Sequence, residues 1–174
     1  MIKAIFFIIL IAGLLASGSK AQANEFQIQT NNDWGSPVSG VQMSITVSNT
    51  IISTGSGFII NIVIRNSSTN IIKLGESSPE KDFTAILTDK SGRLYQLTRN
   101  DPFFTRLLRM DLKSGESHNW ILGVETDKYY ESSGFIATNS DIPQGNYTLS
   151  VTRNFSVSNG RFKLESNVLK IQIR

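Results

Sequence analysis

The chain has 174 residues, with 17 Lys and Arg, 14 Asp and Glu, one His and no Cys, and a formal net charge of +3. The lack of cysteine excludes a disulfide-stapled scaffold, thiol catalysis and zinc sites built on thiolates. No lysine- or arginine-rich block provides an electrostatic footprint for nucleic acid, so we expect no nucleic-acid partner.

Residues 1–23 have the three parts of a secretory signal peptide. A lysine lies in the positive start, Ala4 to Leu15 form an apolar run, and Ala21-Gln22-Ala23 has the small-x-small form that signal peptidase accepts. The run is shorter than the roughly 20 residues that cross a bilayer. We therefore predict cleavage, export to the periplasm, the cell surface or the exterior, and no membrane insertion of the mature chain. Two lysines leave with the peptide, which lowers the net charge to about +1.

The mature chain has the length of one domain. Residues 24–40 are polar and rich in turn formers, which predicts an N-terminal arm or leading strand that Trp34 anchors to the body. Residues 41–174 are predicted to form one β-sandwich domain.

Apolar residues alternate with polar ones through most of that domain. Val41 to Val47 and Phe58 to Ile64 have the period of two that half-buried strands show. Ile71 to Leu74 predicts a short strand, and Phe83 to Leu87 is followed by a turn at "DKSG" and a returning strand in "RLYQLT". The segment 106–112 is ambiguous between a strand and a helical turn.

The last third of the chain continues this pattern. Strands are predicted near Trp120, Leu149 and Ile171, with a bulge near Ser166-Asn167. Seven to nine short strands with short connections favour an all-β fold, an immunoglobulin-like antiparallel β-sandwich. A small β-barrel is the alternative.

The segment "DIPQGNYTL" predicts a tyrosine corner. In immunoglobulin-like sandwiches a tyrosine at this corner sends its hydroxyl back to the upstream backbone while its ring joins the core. Tyr147 is our candidate, and an ordinary strand tyrosine with a solvated hydroxyl is the alternative.

Three phrases of the sequence carry a resemblance. "VIRNSSTNIIKL", "MDLKSGESHNW" and "IPQGNYTLSV" resemble segments of bacterial immunoglobulin-like modules over roughly residues 40–174. The order of hairpin, G-E-S turn and P-x-G-x-Y is also similar to the bacterial intracellular proteinase inhibitor family. This chain departs from that family by its export signal and by an insertion over 124–141, so inhibition is not carried over from it.

The single histidine does not predict a hydrolase. "GESHN" lacks the second glycine of G-x-S-x-G. Ser117 and His118 are adjacent on a predicted strand and point to opposite faces, so they cannot act as nucleophile and base. We expect no catalytic residues and no enzyme.

Metal and cofactor motifs are missing from the sequence. One histidine and no cysteine cannot build a zinc site of two or three such ligands. A scattered calcium site at Glu76, Glu80 and Asp82 is an alternative to a loop that these charges keep solvated. No cofactor and no metal are expected.

Two segments are candidates for binding. The first combines phenylalanines with arginines, a mixture enriched at interface hot spots, and consists of Arg99, Phe103, Phe104 and Arg106. The second lies in a long loop, which on a rigid sandwich is a usual place for recognition, and consists of Tyr129, Tyr130 and Phe135. Packing onto the end or edge of the core is the alternative for both, and Trp34, Trp120 and Tyr147 are assigned structural roles.

The sequence therefore predicts an exported, non-enzymatic domain that recognises a protein or glycan of the cell envelope, in adhesion or assembly. The alternative is an inhibitor of a secreted or periplasmic protease that acts through an exposed loop. Three N-x-S/T sequons, at Asn66, Asn146 and Asn154, are interpreted as products of an Asn- and Ser-rich composition.

Overall fold

The computed structural model describes residues 33–76, 78–98, 108–130, 137–157 and 160–174. Within these ranges the chain forms thirteen strands and one four-residue helix. The elements are β1 (Val41–Val47), β2 (Ile51–Ile52), β3 (Gly57–Asn66), β4 (Ile72–Glu76), α1 (Pro79–Asp82), β5 (Thr84–Asp89), β6 (Leu94–Gln96), β7 (Leu108–Leu112), β8 (Ser117–Glu125), β9 (Tyr129–Tyr130), β10 (Ala137–Thr138), β11 (Gly145–Val157), β12 (Gly160–Glu165) and β13 (Leu169–Ile173).

The described strands form three sheets. The smaller main sheet has the order β1-β3-β8, and the larger has the order β10-β9-β6-β5-β11-β13-β2 with β12 paired to β11. β4 and β7 form a separate pair. The β3–β8 pair and the β5–β11–β13 triplet match the strand pairing within the two layers of immunoglobulin-like sandwiches. The β2–β13 pair is parallel.

One hydrophobic core joins the two main sheets. Alternation explains it, because every second side chain of β3, β8 and β11 points inward. Ile60, Ile62, Leu122 and Leu149 are fully buried, and both sheets contribute to the same cluster. The predicted all-β sandwich is confirmed. Among the described residues each sheet has two open edges, so these strands do not close into the small barrel that was the alternative prediction.

The outer edge of β1 is covered by two separate segments. The Gly35 N–H donates to the Met43 carbonyl, and Val38 exchanges backbone hydrogen bonds with Val41. Further along, the Asn167 side chain accepts from the Ile45 N–H at 2.7 Å and donates to the Ile45 carbonyl at 3.2 Å. A side-chain amide here takes the place of a neighbouring strand, which protects an edge that would otherwise invite pairing.

The position of Asn167 depends on the break between β12 and β13. Ser166 keeps its place beside β11, because its N–H donates to the Val151 carbonyl and its hydroxyl accepts from the Val151 N–H. The chain therefore leaves regular strand geometry at Ser166-Asn167 while Ser166 stays hydrogen-bonded to β11. This is the position at which the sequence predicts a bulge.

The structure also resolves and extends the other strand predictions. Residues 108–112 form a strand, where the sequence pattern left strand and helical turn open. The strands outnumber the seven to nine expected, partly because the two-residue strands β2, β9 and β10 are too short to show alternation. Within the described ranges, no helix has the length and apolar character needed to span a membrane.

Candidate functional site

A shallow groove of about 400 Å³ lies on the outer face of the larger sheet. It crosses β5, β11, β13 and β2, the strands that run side by side in this layer. Most of its lining residues carry a hydroxyl, amide or amine group, but most of the surface that they expose in the groove is apolar; the residues are Thr50, Ile51, Thr88, Asp89, Lys90, Asn146, Tyr147, Thr148, Lys170, Ile171 and Gln172. The groove is the site in the described part of the chain that we consider for recognition.

Strand register brings the polar residues of the groove together. In β11 the buried side chains Tyr147 and Leu149 point into the core, so the alternating residue Thr148 points outward. Thr148 lies opposite Thr88 on one neighbouring strand and opposite Lys170 on the other. A row of two hydroxyls and one ammonium group therefore crosses the sheet.

A second row lies beside the first. Asn146 is paired with Gln172, and Gln172 is in turn paired with Ile51 of β2. The Arg174 Nε donates to the Gln172 Oε1 at 3.0 Å, which orients this amide at the side of the groove. The two rows give a flat array of donors and acceptors with one exposed aliphatic side chain at its margin.

The charges at the groove are mostly positive. Lys90 and Lys170 are exposed. The Asp89 carboxylate accepts hydrogen bonds from the Ser91 N–H and hydroxyl and from the Arg93 N–H, within its own turn. The Ser91 hydrogen bond is the main cause that lowers the pKa of Asp89. Asp89 therefore stays ionised, and the two lysines outnumber this one carboxylate at the groove.

Beside the groove, three tyrosines and one arginine form a cluster, which we name the exposed arginine cluster: Arg93, Tyr95, Tyr129 and Tyr147. The Tyr95 ring lies 5.1 Å from that of Tyr129 and 5.8 Å from that of Tyr147, both edge to face. Exposed Arg93 lies over the Tyr95 ring at 5.0 Å and donates to the Tyr129 hydroxyl at 3.5 Å. The cluster closes this end of the core.

Tyr147 has the geometry of a tyrosine corner. Its hydroxyl donates to the Pro143 carbonyl at 2.5 Å, and its ring is buried. Burial is the largest cause that raises the pKa of Tyr147 above its ordinary value. A hydroxyl that is both buried and bonded to upstream backbone holds the turn before β11 against the core.

The two adjacent tyrosines of β9 do not form one surface. Tyr129 packs against Tyr95 on the inner side, whereas Tyr130 is paired in register with Gln96 and lies on the outer side. Only Tyr130 therefore shares the outer face with the groove. The other predicted binding residues, Arg99, Phe103, Phe104, Arg106 and Phe135, lie outside the described residues.

The two tryptophans lie on opposite sides of the smaller sheet. The Trp34 ring lies 3.9 Å from the Arg65 guanidinium carbon, and the Arg65 guanidinium donates to the Gln42 Oε1. The arm around Trp34 is thereby held on the outer face. Trp120 is buried on the inner face, at 5.4 Å from the Phe83 ring.

His118 makes a packing contact with a buried aromatic ring. Its ring lies 4.5 Å from that of Trp120, and the neighbouring Ser117 is exposed on the opposite face. In the described ranges no group of three or more His, Cys, Asp or Glu residues is placed to hold a metal ion. Asp82, one member of the alternative calcium set, instead pairs with an arginine.

That arginine, Arg153, was missed by sequence reasoning. It is 3% exposed, and its Nη2 lies 3.1 Å from the Asp82 Oδ2. Its guanidinium carbon lies 5.0 Å from the Phe83 ring and 5.2 Å from that of Trp120. We name Arg153, Asp82, Phe83 and Trp120 the buried arginine cluster. The signal was present in the sequence, since the alternation that places Val151 inward also places Arg153 inward.

The first sequon is closed to modification in the folded chain. Asn66 is fully buried, and its Nδ2 donates to the carbonyls of Asn70 and Leu112 at 2.6 and 2.9 Å. A glycan on this nitrogen would have to displace both bonds. Asn146 and Asn154 are exposed.

No family model matches the sequence, and the curated proteins contain no match to it. Several solved structures match the chain at low sequence identity. A β-glucosidase from Listeria innocua, crystallised with gluconolactone, is 11% identical over 76% of this chain, with a TM-score of 0.43. This chain spans only 16% of that enzyme.

Two smaller structures are similar to most of the chain. The Bordetella pertussis protein called ApaA is 13% identical, with 81% of this chain and 95% of that chain covered and a TM-score of 0.44. The C-terminal domain of wzt is 7% identical, with 81% and 76% covered and a TM-score of 0.45. At such identities and TM-scores no function passes from these proteins to this chain.

Proposed function

We propose that this protein is an exported, non-enzymatic recognition domain, which binds a protein or glycan of the cell envelope through the outer face of its larger sheet. The observation that carries the proposal is the groove over β5, β11, β13 and β2. Export is the expectation from residues 1–23, and a role in adhesion or assembly follows from that location.

The form of the groove suits binding more than turnover. Three hydrogen-bonded strands fix the backbone positions from which its polar side chains project, so the spacing of these groups is set before a ligand binds. Preorganised groups lose little conformational entropy on binding, which favours recognition. Thr88, Thr148 and Gln172 are hydrogen-bonding groups without the pairing of nucleophile and base that hydrolysis requires.

The second function predicted from the sequence, inhibition of an exported protease, depends on the segments 100–106 and 125–141. The first lies outside the described residues and the second lies partly outside them. The groove is described throughout its lining, and the recognition proposal rests on it.

The test blocks the groove without disturbing the core. Thr148 is exposed at the centre of the first row, and tyrosine is a favourable strand residue, so Thr148→Tyr should fold while its ring fills the groove. The matched control is Asn119→Tyr, an exposed strand position on the smaller sheet.

Wild-type protein, the blocked variant and the control should be immobilised and exposed to envelope extract of the source cells. We expect Thr148→Tyr to lose the bound protein or glycan fraction that wild type and Asn119→Tyr retain. Equal retention by all three proteins, with matching circular dichroism spectra, would exclude the groove as the recognition surface.

A further inference from the structure

The charges and donors of the groove indicate a class of ligand, an inference that rests on the proposed function. We propose that the groove binds an acidic polysaccharide, one that carries carboxylate groups on its sugars. Lys90 and Lys170 would contact the carboxylates, and the threonine and amide side chains between them would contact the hydroxyls.

The two lysines bracket the groove. Lys170 belongs to β13, and Lys90 follows β5 in the adjoining turn. Both strands neighbour β11, so the two positions lie two strand spacings apart, about 10 Å across the sheet. Such a separation suits charges that repeat along a chain better than a single small anion held between both ammonium groups.

The groove has one acidic side chain that could pair with its lysines in place of an anionic ligand. Among the described residues that line the groove, Asp89 is the one with a carboxylate, and its Oδ1 accepts three hydrogen bonds from its own turn. Two other lysines are paired with carboxylates, Lys128 with Glu125 at 2.7 Å and Lys163 with Glu165 at 2.8 Å. Lys90 and Lys170 thus give the groove a positive potential that favours anionic ligands.

The surface between the lysines favours a polysaccharide over a peptide. The groove lies on the face of the sheet, where backbone groups of β11 already pair with β5 and β13. A peptide cannot add over β11 as a further strand, since that mode requires a sheet edge. Peptide binding without strand addition depends on deep pockets for apolar or aromatic anchors, whereas this groove is shallow and Ile51 is the exposed large apolar side chain among its lining residues.

The test uses oligosaccharides of known charge. Calorimetric titration should compare an oligogalacturonate with a neutral maltooligosaccharide of the same length, and with polyglutamate as a non-sugar polyanion. We expect the oligogalacturonate to bind at least about ten-fold more tightly than either, because it combines charge-assisted bonds with hydroxyl contacts. Its binding should weaken as NaCl concentration rises.

Two double variants separate groove charge from net charge. Lys90→Gln with Lys170→Gln should weaken oligogalacturonate binding by at least about ten-fold, the loss expected from two charge-assisted bonds. Lys73→Gln with Lys113→Gln removes the same charge at exposed positions outside the groove and should leave binding within about two-fold of wild type.

The outcomes distinguish this inference from the proposed function. Equal affinity for the neutral sugar, abolished by Thr148→Tyr, would overturn the acidic ligand and leave recognition by the groove intact. Equal affinity for polyglutamate would overturn the sugar, and equal loss in both lysine double variants would overturn the assignment to the groove. Oligogalacturonate binding that survives Thr148→Tyr would count against both proposals, and a lack of oligogalacturonate binding would overturn the inference alone.

Discussion

Two clusters in this sandwich pair one arginine with aromatic rings, and they differ mainly in burial. In the buried arginine cluster, Arg153 lies between Phe83 and Trp120 and forms an ion pair with Asp82. In the exposed arginine cluster, Arg93 lies over Tyr95 at the surface. The same combination of residue types therefore has two different consequences for the fold.

Burial determines what each guanidinium contributes. A buried cation requires its anionic partner, because removing one member leaves a charge without solvent or counterion. A surface guanidinium keeps its hydration, and its contact with a ring adds little to stability. An arginine beside aromatic residues is therefore evidence for recognition only when it is exposed, which bears directly on sequence-based candidates such as Arg99 and Arg106.

The largest effect is expected from breaking the buried pair. Arg153→Met removes the cation and leaves the Asp82 carboxylate, with 13% of its side chain exposed, without this partner. We expect the free energy of unfolding to fall by about 3 to 5 kcal/mol, the usual cost of removing one member of a buried ion pair. Urea denaturation followed by tryptophan fluorescence measures it.

A companion variant tests whether charge causes that loss. Arg153→Met combined with Asp82→Leu removes both charges, and it should recover a large part of the stability lost by Arg153→Met alone. A single-variant loss below about 1 kcal/mol would contradict the assignment of Arg153 as a structural residue of the core.

The exposed cluster should depend on one hydroxyl more than on its arginine. Tyr147→Phe removes the hydrogen bond to the Pro143 carbonyl, so we expect a loss of about 1 kcal/mol in urea denaturation. Tyr129→Phe is the matched control, since its hydroxyl lies 3.5 Å from Arg93 at the surface, and it should cost less than about 0.5 kcal/mol. Equal losses would mean that Tyr147 is an ordinary strand tyrosine without a corner role.

The dependence of stability on alkaline pH is a second test of the burial of Tyr147. Burial is the main cause that raises the pKa of Tyr147 in the folded protein above its ordinary value of about 10. The unfolded chain therefore releases this proton first, so the contribution to stability is complete below pH of about 10 and is lost as pH rises through the folded pKa. Urea midpoints measured from pH 9 upward should fall less steeply in Tyr147→Phe than in wild type, and parallel slopes would contradict this assignment.

The sequence predicted most of the layers because alternation reports directly on which side of a strand is buried. The runs through Ile60, Trp120 and Leu149 all have this pattern, and all contribute to the core. The corner at Tyr147 was also accessible, since a turn followed by a strand tyrosine is a local signal. The features that could be predicted were therefore mainly those that residues close in sequence determine.

The features that escaped prediction join distant parts of the chain. Asn167 replaces a strand beside Ile45, 122 residues away in sequence, and Arg153 meets Asp82 across 71 residues. The groove was likewise missed, because Thr88, Thr148 and Lys170 become neighbours only through strand register. Each of these three strands looks like an ordinary half-exposed strand when it is considered alone.

The smallest effect on the free energy of unfolding is expected from substitution of Arg93. Comparison with Arg153 therefore tests most directly whether burial determines the contribution of each arginine. Arg93→Ala removes an exposed guanidinium that contacts the Tyr95 ring and the Tyr129 hydroxyl. The Arg93 N–H still donates to Asp89 in the variant, so the turn is retained. We expect the free energy of unfolding to change by no more than about 0.5 kcal/mol. Urea denaturation beside Arg153→Met measures the difference, and a loss above about 2 kcal/mol at Arg93 would show that burial does not separate the two clusters.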